Sequence, residues 1–476
     1  MESYDVAVIG GGLLGCFAAR ALCRLKLNIV LIEAREDVCT GISRANTAVV
    51  YPGYDHKPGT LKAGMTVRAN ATFAQLCREL DVPFSRCGSL MLSFGLRADA
   101  VLRKKLLHGR ENRVPELRLL SGEEAYRLEP SIAPGLRSAL WSPAAGTVNP
   151  WQLGIAAAEN ARQNGTEFLL NTRLLGMRAE RDGYLLETDR GELRVRAVVN
   201  CAGLAADRVQ DLLFPTPVRI VPTAGDYLVL DRSAAGRPAH ILEYEPEGEQ
   251  KGLTFVPTVE GSLLIGPTER ENSGDFAASA EGLLSVRELA GRILPALDRD
   301  AVIRSFAAVR PNPQRPDGSS IHSFVIEHPG KGFWSLIGIK TPGLTCAAEL
   351  GLHVAEQLAR ELGAEPNPAF DPVRVGIRRL RDMPFEARKQ LVEEDPDYGE
   401  IVCFCEEISK AEVLEAIRRG ALTVDGVKRR VGTGMGRCQG ARCQQKIMSL
   451  LSRELGTPES GIRKDGPGSR IAEAAP

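Results

Sequence analysis

The sequence predicts an α/β architecture: a Rossmann-like dinucleotide-binding domain with an antiparallel-sheet domain interleaved in it, followed by a small, mainly helical C-terminal domain. Three observations predict it. A strand–glycine turn–helix–strand unit opens the chain at Tyr4. Alternating apolar stretches recur between later runs that read as buried strands. Four cysteines, Cys403, Cys405, Cys438 and Cys443, cluster beyond a Pro-rich turn region. The chain's 476 residues suffice for about two to four domains of roughly 100–200 residues.

Composition excludes several classes. With 43% hydrophobic and 25% charged residues the chain is neither disordered nor a small disulfide scaffold. Its 60 basic residues cancel its 60 acidic ones, so no global charge argues for nucleic acid or an anionic membrane. The most apolar early stretch, Val6 to Cys23, is interrupted by four glycines and Arg20, whereas a membrane span needs about 20 mostly apolar residues. Met1 to Asp5 holds Glu2 and Asp5 but no Lys or Arg, unlike a secretory n-region. The expected location is cytoplasmic; peripheral attachment at an inner membrane through a partner is the alternative.

Tyr4 to Ile9 (YDVAVI) and Asn28 to Ile32 (NIVLI) read as buried parallel strands, with a helix at Leu13 to Arg24 between them. Ala197 to Asn200 and Phe333 to Ile339 have the same look, each followed by a helix pattern, at Ala205 to Leu213 and Cys346 to Leu362. Ser89 to Phe94, Gly183 to Thr188, Gly225 to Leu230, Leu253 to Pro257 and Leu263 to Pro267 alternate and predict the antiparallel sheet. The expected boundaries are 1–365 for the first region, with nucleotide-binding parts at about 1–80, 145–215 and 320–365 and substrate-domain parts at about 81–144 and 216–319. A linker at 366–397, the small domain at 398–455 and a flexible tail at 456–476 follow.

Gly10-Gly11-Gly12-Leu13-Leu14-Gly15 contains G-x-G-x-x-G. Gly10 makes the tight turn, Gly12 lets the backbone approach a pyrophosphate, and Gly15 lets the helix pack on the sheet. The helix N-terminus offers unpaired N–H groups to the phosphates. Glu33 ends the second strand and can accept hydrogen bonds from a ribose 2′-OH, which disfavours NADP. The fingerprint alone does not separate FAD from NAD. The interleaved second sheet and the segments Asn200 to Asp207 and Gly338 to Thr345 favour FAD.

Taken together, GGGLLG at Gly10–Gly15, SRANTAVVYPGYDHKPGTLKA at Ser43–Ala63, NCAGLAADR at Asn200–Arg208, AAVRP at Ala307–Pro311 and GIKTPGLT at Gly338–Thr345 resemble the FAD-dependent oxidoreductases of the D-amino-acid-oxidase-like superfamily. The branch they look like is that of anaerobic-type glycerol-3-phosphate dehydrogenases and L-2-hydroxyglutarate dehydrogenases. The resemblance implies FAD, with adenosine at Glu33 and the isoalloxazine near Arg44, Ala45, Asn46 and Thr47 and near Gly343, Leu344 and Thr345. It completes the implied binding set with Gly10, Gly12, Leu13, Leu14, Gly15, Ala34, Leu174, Ala202, Gly203 and Gly338. It also implies that Arg310 holds a substrate carboxylate or phosphate, a task suited to a planar guanidinium fork. The chain departs from the family at Tyr51-Pro52-Gly53, where His-Ala/Ser-Gly is usual, and at Lys340, where an acid is common. Tyr51 and Lys340 are therefore the other expected substrate-side residues: Tyr51 as a hydrogen-bonding group, Lys340 to hold negative charge or polarise the substrate oxygen. His56 is a candidate general base, with an exposed loop histidine as the competing reading.

Cys403-Phe404-Cys405 is C-x-C, and Cys438 to Cys443 is C-x4-C, with 32 residues between the pairs. Four thiolates on short loops can hold zinc or an iron–sulfur cluster. Ser409 and Glu412 form a capping box that opens a helix ended by Gly420, and Gln444 to Leu455 is a second helix. Spacing and GMGRCQGARC resemble the bacterioferritin-associated-ferredoxin-like domain, which implies a 2Fe-2S cluster on Cys403, Cys405, Cys438 and Cys443.

A flavin accepts two electrons at once and can release them singly; a 2Fe-2S cluster carries one. The chain therefore reads as a dehydrogenase that oxidises a small anionic hydroxy substrate, glycerol 3-phosphate or a 2-hydroxy acid such as L-2-hydroxyglutarate. Electrons would pass through the cluster to a partner oxidoreductase subunit or a quinone-linked acceptor. The competing readings are an amine dehydrogenase acting on an amino acid, sarcosine or an opine, and a C-terminal domain that docks partners or senses iron.

Overall fold

The computed structural model describes residues 2–248, 250–272 and 274–472. Its frame is an eight-stranded sheet. Glu2–Ile9 lies at its centre, parallel to Ile29–Ile32 on one side and to Gly191–Asn200 on the other. Phe333–Ile337 continues the parallel set beside Asn200. Val6–Ile9, Ile29–Ile32 and 197–199 of these strands are buried apolar residues, as expected where helices cover both faces. The helices Leu13–Leu22 and Gly343–Leu362 pack together on one face around Ala18, Leu22, Leu350 and Val354.

Gly183–Thr188 belongs to this sheet and not to the antiparallel substrate sheet that its alternation suggested. It pairs antiparallel with the first half of Gly191–Asn200. One face of that hairpin buries Tyr184 and Leu186 against Val195 and Phe333, so a one-sided strand pattern arises within the nucleotide-binding domain.

The second sheet has nine strands. Its long central pair, Arg219–Leu230 and Val302–Gln314, runs antiparallel in register from Arg219↔Gln314 to Tyr227↔Phe306. One face packs on the helix Ala280–Ile293 through Leu228, Leu230, Leu242 and Val286. The other face presents Tyr227, Ile241, Leu264 and Ala308 towards Val49 and Tyr51 of the first domain. The space between the two sheets is where the candidate site lies.

Residues 401–455 form a third core of Val413, Ile417, Val427, Ile447 and Leu451. Ser409 and Glu412 complete the capping box on Lys410–Arg418: the Glu412 N–H donates to Ser409 Oγ and the Ser409 N–H to Glu412 Oε2. A helix at Val424–Val431 escaped the sequence reading; it has eight residues and is rich in charge. The expected linker is laid on the first domain: Arg374 pairs with Glu159 at 2.7 Å, and Asn160 Nδ2 donates to the Asp371 carbonyl. The expected flexible tail also differs. Arg463 and Lys464 carbonyls accept N–H groups of Val424 and Asp425, and Asp465 pairs with Arg44 at 2.7 Å and Arg429 at 2.8 Å. Few apolar residues suggested disorder; backbone pairing and ion pairs hold the segment instead. Residues 473–476 of that tail lie outside the described residues.

Candidate active site and electron-transfer centre

The glycine turn is built by contact. Gly10 has φ +102°, and a Cβ there would lie 2.6 Å from the Cys201 carbonyl oxygen. A Cβ on Gly15 would lie 1.8 Å from the Gly10 carbonyl oxygen. Gly12 caps the helix without a side chain, and the Leu13 N–H donates to Ser43 Oγ at 2.9 Å. Glu33 receives N–H groups of Gly11 at 2.6 Å and Arg35 at 2.9 Å. Burial raises its pKa against these two donors. Ala34 is exposed beside it, and Leu174 is half-buried at the start of a neighbouring strand. Leu14 packs inward on two cores. Gly203, at φ +60°, has nothing closer to an added Cβ than Ile42 at 3.9 Å, and Ala202 beside it is half-buried. A bare helix start, an acid at the second strand end and an open glycine in line between the sheets fit an extended dinucleotide.

The two segments expected at the flavin ring meet. The Tyr51 N–H donates to Thr345 Oγ1 at 3.0 Å, joining Arg44–Tyr51 to the start of Gly343–Leu362. Ala45, Asn46, Thr47, Gly343 and Leu344 are half-buried there, and Gly338, at φ +61°, lies against Pro313. Arg44 contributes its backbone: its carbonyl accepts Trp151 Nε1 at 2.7 Å while its guanidinium is held by Asp465.

On the substrate side, Arg310 and Lys340 face one another across the sheet edge. Arg310 Nη1 lies 3.4 Å from Glu269 Oε1 and reaches the Tyr227 hydroxyl. Lys340 Nζ donates to Asn312 Oδ1 at 2.8 Å. Burial lowers the Lys340 pKa; Glu269 opposes this, and Arg310 and Lys251 add to it. Lys62, absent from the sequence-derived set, belongs to the same group: burial and Lys340 bring it down to about 8. Arg310, Lys340 and Lys251 thus gather at the single carboxylate of Glu269, with Lys62 beside Lys340, an arrangement that attracts an anion. His56 lies near Asp55 and Lys62, its pKa pushed down to about 4 by burial.

The four C-terminal thiols stand as two contacting pairs, Cys403 with Cys443 and Cys405 with Cys438. Backbone N–H groups of Gly434 and Glu406 point at the Cys403 sulfur, and those of Gly440 and Arg442 at that of Cys438. Its contact with Cys443 brings the Cys403 thiol down to about 6, and these donors favour thiolate. A Cβ on Gly436 would lie 2.5 Å from the Cys405 Cβ. Among the described residues no three ligating side chains converge as a single-ion site; two thiol pairs bathed in amide donors fit a two-iron cluster.

A cavity of about 720 Å³ separates the two halves. Asn46 and Trp151 wall it on the first domain, Leu264 and Phe306 on the substrate sheet, and Met435 and Gln439 on the cysteine-bearing domain. Arg232, on the substrate domain, pairs with Glu406 beside Cys405, and Asp37 is gripped by Arg430 at 2.8 Å and Arg429 at 3.1 Å. These pairs tie the cysteine-bearing domain to the substrate domain and to the first domain.

Residues 5–357 match the family model of the FAD dependent oxidoreductases called DAO. The chain belongs to this family. Residues 401–453 match the BFD-like [2Fe-2S] binding domain. A glycerol 3-phosphate dehydrogenase from Caloramator mitchellensis is 38% identical over 98% of both chains. Human mitochondrial L-2-hydroxyglutarate dehydrogenase is 29% identical, covering 60% of this chain and 66% of its own. Among solved structures, the FAD-bound, dithionite-reduced L-α-glycerophosphate oxidase from Mycoplasma pneumoniae superimposes with a TM-score of 0.73 at 24% identity, over 79% of this chain and 99% of its own. The chain is thus an FAD-dependent oxidoreductase that also carries a 2Fe-2S domain. Among the described residues no helix is long and apolar enough to cross a membrane.

Proposed function

We propose that the chain is a dehydrogenase that oxidises glycerol 3-phosphate and sends the electrons through its 2Fe-2S cluster to a separate acceptor. The carrying observation is the group of Arg310, Lys340 and Lys251 around the carboxylate of Glu269, with Lys62 beside Lys340. Such an excess suits a phosphate dianion, and the end-to-end similarity to a glycerol 3-phosphate dehydrogenase agrees with it. Bound FAD supplies the hydride acceptor. Arg310 and Lys340 would hold the phosphate and thereby orient the carbinol C–H. The hydrogen bond from Lys340 to Asn312 fixes the ammonium so that little ordering remains on binding. Tyr51, anchored by its backbone to Thr345, would meet the substrate hydroxyl.

The ion pairs that hold the cysteine-bearing domain against the other two domains favour a relay over a detachable docking or sensing module. A dye-linked screen on anaerobically purified protein tests the substrate. Glycerol 3-phosphate should reduce the flavin with the greatest kcat/KM. A preference for L-2-hydroxyglutarate, or for an amino acid, sarcosine or opine, would overturn this choice.

A further inference from the structure

Electrons relayed to the cluster must also leave the protein, and the two thiol pairs are not equivalent in this respect. Cys403 and Cys443 are buried, whereas Cys405 and Cys438 are half-buried. Met435 and Gln439 line the cavity shared with Asn46 and Trp151; Phe404, Arg437, Arg442 and Lys446 are not part of its wall. The cysteine loops therefore have one side towards the cavity and another towards solvent.

The solvent side is built from the loops themselves. Phe404 stands between the first two cysteines and is 64% exposed. The Lys446 ammonium, from the helix Gln444–Leu455, lies 5.9 Å from the centre of the Phe404 ring. Gly436 abuts the Cys405 Cβ, so Arg437, the next residue, leaves its loop beside Cys405. The Arg442 N–H faces the Cys438 sulfur. Arg437, Arg442 and Lys446 are all exposed, and none of them is ion-paired among the described residues. Glu407 is the exposed acid of the C-x-C loop, and Glu459 nearby is occupied by Gln445 and Ser449. The cations outnumber these acids, on a chain whose total charge is balanced.

We propose that this face, Phe404 flanked by Arg437, Arg442 and Lys446, docks the electron acceptor, and that the acceptor is an acidic one-electron carrier protein. The proposal rests on the relay reading. Each encounter moves one electron, so the two electrons taken from one substrate molecule reduce two carrier molecules, and the two protons go to solvent.

Charge selects the partner. A carboxylate-rich surface complements three unpaired cations, which speeds encounter and sets its orientation. An exposed aromatic ring at the centre of a small patch supplies the anchoring contact. Electron-transfer encounters bury little surface, below about 1,200 Å², so one ring and a few charges suffice and the carrier can leave after each electron. A membrane surface fits this face less well. The helix Gln444–Leu455 buries Ile447, Met448, Leu450 and Leu451 in its own domain core, leaving a single ring to insert, whereas interfacial helices insert a whole apolar face.

Photoreduced holoenzyme, mixed anaerobically in a stopped-flow instrument with rubredoxin as an acidic acceptor or cytochrome c as a basic one, tests this without any substrate. The second-order rate constant should fall as salt is added with rubredoxin and should not fall with cytochrome c. Arg437→Glu and Lys446→Glu should each lower the rubredoxin rate about 10-fold at low salt, while reduction of a small neutral dye stays the same. The same substitutions should weaken binding of zinc-substituted rubredoxin to oxidised holoenzyme, followed by NMR; Phe404→Ala should weaken it with the salt dependence retained. A rubredoxin rate untouched by both charge reversals, in protein with its full iron and sulfide, would overturn the docking assignment. So would binding of the holoenzyme to phosphatidylserine vesicles that these substitutions abolish. Oxidation of the flavin by rubredoxin while the cluster stays reduced by EPR would instead overturn the relay reading.

Discussion

The cofactor regions and the substrate face are made of different material. At Gly10–Gly15 and around Cys403–Cys443 the chain offers its backbone: glycines leave no room for side chains, amide N–H groups face the cysteine sulfur, and the bare helix start would present its own to a phosphate. On the proposed substrate face Arg310, Lys340, Lys62 and Glu269 come from separate segments and would act by side chain. A backbone site is local in sequence and tolerates almost no added atom. A side-chain site is dispersed, and its members can be weakened one at a time.

That contrast predicts all-or-none loss in the first kind of region and graded loss in the second. Gly15→Val should abolish FAD retention, because the new Cβ has no room beside the Gly10 carbonyl. Gly436→Val should remove iron and sulfide yet leave FAD bound, as measured by absorbance and metal analysis after desalting. Partial occupancy in both variants would break the distinction.

The side-chain junction between the domains comes next in size. Asp37→Ala strands Arg430 and leaves Arg429 with Asp465 alone, and should destabilise the docked C-terminal domain by about 3–5 kcal/mol, read from hydrogen exchange in residues 401–455. Burial raises the Asp37 pKa, but Arg430 and Arg429 overcome it and hold the carboxyl below its ordinary value. The ion pair therefore contributes fully above the ordinary carboxylate pKa of about 3.9 and is lost as pH falls through the lower folded value. Acid should loosen the junction in wild type and have less to remove in the variant.

Arg310→Ala should have the smallest effect, costing about 1.5–3 kcal/mol of substrate binding, roughly a 10- to 150-fold rise in KM. An unchanged KM for glycerol 3-phosphate would place the anion elsewhere.

The same contrast governs what the sequence discloses. G-x-G-x-x-G with Glu33, and C-x-C with C-x4-C, are legible because each site is written in neighbouring residues with a physical reason for every glycine. Lys62 stands inside a recognisable segment, but nothing local marks it as a neighbour of Lys340. The tail misled for a related reason. Composition measures apolar burial, and residues 463–465 are held by carbonyls and by Asp465 between Arg44 and Arg429.

The central claim is that reducing equivalents from the substrate reach the cluster within this one polypeptide. Rapid-freeze EPR of the anaerobic holoenzyme mixed with glycerol 3-phosphate tests it directly. The account predicts a reduced 2Fe-2S signal that grows after the flavin is reduced and is absent from Gly436→Val. Bleaching of the flavin with the cluster remaining oxidised, in protein that contains its full iron and sulfide, would contradict it.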